Sequence, residues 1–324
     1  MINSSGGCGI ALYCGAAHQK AHRSIHKVSC DIVKKSRDDL AREEKSLRKH
    51  KGDSETPPNP FESAVGMFYF WKGTRPYMQA RYDYITAALN IRTGEGVQAA
   101  LDSSLESLRL CRADNQAVRS GVPAMYLRLG RDQDAFDFIK WYAVNQSSYN
   151  WSDMKLPFLD LHGADALESV EEHTTDFMDL SFLVALTLLK IRLLEDINML
   201  QTYMEKCGER SYETKMKWIR KEALSDVLYG RRDIVELADY KALVNNLENQ
   251  VCRMLVRVDK ANQFWWPALV DPGKYANATP TGYTFGSEAE TVVVFRNSWY
   301  SWSECPPALI LAQEYAGRRA SGVS

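Results

Sequence analysis

Cys8, Cys14, His18, His26 and Cys30 are the side chains whose types and spacing could do chemistry in this sequence. Zinc takes four borderline or soft ligands in a tetrahedron, and short fixed spacings let one turn or one helix supply two of them. Three residues separate Cys14 from His18, three separate His26 from Cys30, and seven lie between the two pairs. A surface helix that happens to carry histidines is the plain alternative. Cys/His-rich tracts of this density bind metal more often than not.

Several of these residues also carry a family pattern. Cys8, the pair Tyr13–Cys14, His18, the pair His26–Lys27 and Cys30 follow one another at the spacings of the C-terminal half of a MYND finger. The segment therefore resembles a MYND-type zinc finger, and the whole chain resembles fungal MYND-domain proteins that pair such a finger with a helical region. The resemblance implies two interleaved sites: Cys14 and His18 in one, and Cys8, His26 and Cys30 in the other.

The departures from the pattern limit what the finger can hold. Ser5 stands where a third cysteine belongs, and no earlier pair precedes it. His22 and Arg23 stand where the family usually has aspartate and tryptophan, so the resemblance does not extend to the usual peptide-binding surface. Structural zinc contributes folding energy only through a complete shell. The expectation is at most one Zn2+, weakly bound. Either a water or His22 completes one site, or the chain is a shortened product of a longer coding sequence; a start inside a cysteine motif favours the second.

The elements that must position this segment read as helices. A net charge of −1 over 324 residues gives no global attraction to nucleic acid or anionic membrane. Seven cysteines, an odd number without regular spacing, argue against a secreted disulfide scaffold and for a reducing, intracellular compartment. The longest apolar run, Leu180 to Leu189, is followed at once by charge and is too short to span a membrane.

Residues 31–51 are strongly charged, with Ile32, Leu40 and Leu47 as the apolar points, and read as a solvated helix leading out of the finger. Residues 52–60, rich in Pro, Ser and Asp, read as a linker. The expected organisation is a partial finger over residues 1–30, a charged helix and linker over 31–58, and an all-α domain over 59–324. Within that domain Tyr84, Ala87, Ala88 and Ile91 share one helical face, as do Val97, Leu101, Leu105, Leu108 and Cys111. Residues 115–142 resemble a tetratricopeptide hairpin, broken at Gly130 with Asp132 as the cap of its second helix. The fold class is mainly α, either tetratricopeptide-like hairpins in an α-solenoid or an irregular all-α domain. Helices are expected over 173–204, 210–229, 233–261 and from Ser287 through Trp299. Trp265 to Phe285 reads as a surface loop, and Pro306–Pro307 as an interruption.

MYND fingers accompany SET-type methyltransferases, but the Asn-His pair of that family is missing: only His162 and His173 occur after residue 60, and neither follows an asparagine. No nucleophile elbow, phosphate loop, H-E-x-x-H or dinucleotide fingerprint is present. Glu171–Glu172–His173 reads as the acidic start of a helix rather than an acid–base cluster. Trp265–Trp266 and Trp299–Trp302 read as packing anchors rather than a ligand pocket. The expectation is a non-enzymatic zinc-binding adaptor for a protein or peptide partner, with no nucleic acid and no membrane. A chromatin-associated transcriptional regulator is the alternative, and a SET-type relative a more distant one.

Overall fold

The computed structural model describes residues 3–4, 7–145, 148–172, 178–278 and 282–321. It is mainly helical. A two-residue pairing of β1 (Asn3–Ser4) with β2 (Leu12–Tyr13) precedes fourteen helices among the described residues. These are α1 (Ala16–Arg48), α2 (Pro60–Ser63), α3 (Arg75–Leu89), α4 (Gly94–Leu110), α5 (Val122–Arg128), α6 (Asp132–Asn145) and α7 (Leu180–Cys207). They continue with α8 (Tyr212–Glu222), α9 (Arg232–Val235), α10 (Lys241–Ala261), α11 (Trp265–Val270), α12 (Pro272–Ala276), α13 (Glu288–Ser303) and α14 (Pro306–Ala320). The chain divides into two compact units, 1–125 with 149–158, and 126–148 with 159–324.

In the first unit, α1 runs without a break from the cysteine–histidine segment to Arg48 and packs along α3. His26, Val33, Ser36 and Leu47 are its buried positions, spaced seven, three and eleven residues apart. That is a single stripe on a 3.6-residue helix. Ile32, one of the expected apolar points, is instead 48% exposed, because the stripe passes through Val33. The 31–51 segment is therefore half of a docked helix rather than a solvated exit.

The expected boundary at residue 58 also falls inside this unit. Asp53 Oδ1 accepts from the backbone N–H groups of Glu55 and Thr56, both at 2.8 Å, and the Gly73 N–H donates to Glu55 O at 3.0 Å. Thr56 is buried, and a Cβ on Gly73 would lie 1.8 Å from its hydroxyl. The prolines stop the helix, as residue chemistry dictates. The turn they make is tied down, next to a core of Leu47, Phe68, Tyr77, Met78, Leu110 and Cys111.

α3 and α4 form the hairpin expected from their apolar faces. Thr93 caps α4 through the Gly96 N–H, and Gly96 lets the helices touch, since a Cβ there would meet Ala88 O at 2.7 Å. Gly130, at φ 66°, ends α5 as expected. The phrase 115–142 is divided between the two units. The helices that follow range from four to twenty-eight residues, without a pair of constant length among the described residues.

The second unit is built on α7, buried at every residue from Leu180 to Leu194 and packed by α6, α10, α13 and α14. Residues 173–177, expected to open this helix, lie outside the described residues, and so does His173. No helix among the described residues is long and apolar enough to cross a membrane.

Two expectations are corrected near the C-terminal end. Trp265–Val270 and Pro272–Ala276 are helices rather than surface loop, and Trp265, Trp266 and Trp302 are fully buried, with ring centroids 5.8–6.1 Å apart across the Trp302 contacts. The apolar indoles outweigh the Pro and Gly signals around them. Pro306 and Pro307 begin α14 instead of interrupting the chain, because a first helical turn needs no N–H donors.

Asp132 is not a cap either. Asp226 Oδ1 accepts the Gln133 N–H at 3.0 Å, while Asp132 is fully buried 3.2 Å from Arg192 Nε. Burial pushes the Asp132 carboxyl up to about 8, against the opposing pull of Arg192.

Candidate metal centre

The glycine-rich turn before Cys14 and the first half of α1 bring three of the five expected ligands together. The donor atoms of Cys8, His26 and Cys30 all lie within 4.8 Å of one another. Cys8 Sγ is 3.3 Å from His26 Nε2, and the Cys8 N–H donates to Cys30 Sγ at 3.2 Å. With Zn–S near 2.3 Å and Zn–N near 2.1 Å, ligand atoms on a tetrahedron stand roughly 3.5–4 Å apart. Two thiols and an imidazole at this spacing fit zinc.

His26 and Cys30 reach the centre together because four residues on a helix return to the same face. Cys8 comes from the preceding turn, which glycines make possible. A Cβ on Gly7 would lie 2.5 Å from Cys30 Sγ, and Gly9 adopts φ 73°. Arg37, two turns further along α1, fastens the turn: its Nη1 donates to Cys8 O at 2.9 Å and its Nη2 to Gly7 O at 3.2 Å. Neither Gly7 nor Arg37 stood out in the sequence. The run of glycines around Cys8 was the available signal for the first; nothing local marks the second.

Burial, then His22, lowers the His26 pKa, which keeps the imidazole in the neutral form a metal requires. Burial, followed by charge on Cys8 and Cys30, raises the Tyr13 pKa. Tyr13 Oη and His22 Nδ1 are 3.0 Å apart, and the His22 ring stacks on His26 with centroids 5.4 Å apart. His22 thus sits beside the centre as a packing neighbour of a ligand.

Cys14 and His18 form a separate, exposed pair, with Sγ 2.5 Å from Nδ1. No third Cys, His, Asp or Glu donor joins them among the described residues. Ser5, where the family pattern has a cysteine, lies outside the described residues.

Other chemistry-bearing groups are occupied by structure. Lys190 is fully buried, donates to Ala166 O at 2.7 Å and Glu168 O at 2.9 Å, and has its pKa lowered to about 7 by burial. Glu171 pairs with Arg253, and the Asp196 carboxylate accepts from the backbone of Leu224 and Ser225.

Residues 4–30 match the family model of the MYND finger. No curated protein and no solved structure matches the chain. The family match and the converging ligands agree on the same segment, which carries a MYND zinc finger; the match ends at Cys30, where α1 continues into the helical unit.

Proposed function

We propose that the chain is a non-enzymatic, zinc-binding adaptor, in which a one-zinc MYND-type finger and a helical scaffold present a surface to a protein or peptide partner. The convergence of Cys8, His26 and Cys30 on a helix that continues into the first unit carries this reading. Cys8, His26 and Cys30 would hold the ion, with Gly7 and Arg37 shaping the turn around it. Bound there, zinc supplies cross-links between the turn and α1, which have little apolar burial of their own to hold them. Anything docked on the finger is then fixed relative to the first unit through α1, a helix of thirty-three residues.

The absence of catalytic signatures after residue 60 and the structural engagement of Lys190 and Asp196 support the non-enzymatic part. The helical hairpins at α3–α4 are the proposed scaffold surface, with tetratricopeptide-like character as the expected analogue. Lys140, a basic residue on α6, is paired with Glu168 at 2.5 Å. A charge reversal at Lys140 would therefore test stability rather than docking.

The test is metal analysis of the full chain together with partner capture. One zinc per chain is expected, lost in Cys30→Ser together with capture of finger-dependent partners. Two tightly held ions, or methyl transfer from S-adenosylmethionine above background, would overturn the reading.

A further inference from the structure

The Cys8/His26/Cys30 group supplies three donors, and no fourth Cys, His, Asp or Glu donor joins them among the described residues. A three-ligand zinc site keeps an open position. Beside it lies a cavity of about 510 Å³ whose lining includes His26 and Cys30, two of the three ligands, together with Tyr13 and three basic side chains, Lys20, Arg23 and Lys27. The basic residues come from one face of α1 at spacings of three and four. Asp31 is the single acidic residue of the lining, and Lys27 holds it at 2.7 Å. The rim is therefore net positive next to the ligands.

We propose that this cavity admits an external thiolate carried on an acidic molecule, which completes the coordination of the metal at Cys8, His26 and Cys30. The chemistry of the donor set selects the sulfur: a Cys3His shell is a stable closed zinc site, and the position that the finger pattern fills with cysteine is Ser5 here. The rim selects the rest of the ligand, since Lys20 and Arg23 favour carboxylates flanking the thiol. An acidic cysteine-containing segment of a partner and a small acidic thiol share this chemistry. Coordination exchanges a water or buffer ligand for the thiolate and releases the thiol proton to solvent. No redox change is involved.

The inference rests on the metal-binding reading, and the experiment separates the two. The full chain is loaded with Co2+ and its visible d–d absorption followed while thiols are added. Uptake of one Co2+ is expected, with a weak spectrum that intensifies toward a tetrahedral one on titration with mercaptosuccinate. The uncharged 2-mercaptoethanol should need at least about fivefold higher concentration. Lys20→Glu/Arg23→Glu should take up Co2+ normally and lose the preference for mercaptosuccinate. Comparing a peptide of one cysteine flanked by glutamates with reduced glutathione distinguishes the sources: tighter binding of the peptide marks a partner segment, and equal binding marks a free thiol. A Co2+-loaded chain whose spectrum ignores every thiol overturns this inference and leaves the metal site standing. Failure to take up Co2+ overturns both.

Discussion

The finger and the helix α7 show two ways of ordering a chain. In the finger turn, Cys8, Ile10 and Ala11 are buried, and the helix that follows exposes every side chain from Lys20 to Ile25. Around α7, eighteen residues of one helix are buried, including Lys190, Arg192 and Asp196. Apolar burial contributes about 25 cal/mol per Å², so α7 is held by its neighbours whatever the metal does. The finger turn has less apolar surface for that and, on the proposed reading, would be held by the metal its ligands bind. Polar groups differ in the same way. In the finger they converge on one point; on α7 Lys190, Arg192 and Asp196 are each tied to backbone.

The comparison breaks most visibly if the second unit is not held by packing. Trp302 is fully buried between Trp265 and Trp266, and its Nε1 has no hydrogen-bond partner. Trp302→Ala removes packing and no hydrogen bond. A loss of about 3–5 kcal/mol is expected, read from the denaturation midpoint, with unchanged zinc content. A change in metal content with an unchanged midpoint would mean that the two regions are not independent in the way described.

A smaller effect tests the buried carboxyl beside α7. The ordinary pKa of Asp132 is 3.8, and in the fold its carboxyl titrates near 8. The folded state therefore keeps the proton over a window in which the unfolded state has lost it. The sign follows: this residue's contribution is fully present below pH 4 and declines as pH rises toward 8. Asp132→Asn should remove that part of the decline, on the order of 1 kcal/mol per pH unit at most. The variant should therefore gain on the wild type between pH 5 and pH 8 in urea titrations. A difference that stays flat, or one that grows on acidification, contradicts the assignment.

How far the sequence disclosed this division depends on the region. The ligand residues were legible because cysteine and histidine at fixed spacing have few other uses. α7 was legible because its apolar run is long. Two kinds of feature were hidden. Val33 buries while Ile32 does not, a choice made by the α3 surface and not by either residue's own preference. Trp265 and Trp266 sit among Pro and Gly that signal a loop, and only the tertiary partners Phe295 and Trp302 reveal that they are buried. Arg37 was hidden for the same reason, since its contacts to Cys8 O and Gly7 O cross nearly thirty residues of sequence.

Removing the metal should have a local effect. In hydrogen exchange with a chelator, amides of residues 8–30 are expected to lose protection while those of α7 keep theirs. Cys30→Ser should reproduce this without a chelator. Far-ultraviolet circular dichroism should change little, because the rest of α1 remains docked on α3. Loss of protection throughout the second unit would show that the metal supports the whole fold.

The smallest expected effect sharpens the comparison from the other side. Cys252 is a cysteine like Cys30, but it lies exposed on α10 in the second unit, with Arg253 and Val256 nearby on the same helix. No His or Cys partner stands with it in a metal-binding group among the described residues. Oxygen for sulfur at an exposed helical position removes neither a ligand nor core packing, so Cys252→Ser should shift stability by under about 0.5 kcal/mol. Zinc content should equal that of the wild type. Equal zinc loss in Cys30→Ser and Cys252→Ser would mean that metal binds wherever a thiol is available. Loss in Cys30→Ser alone would tie the metal to the centre that the turn and α1 build together.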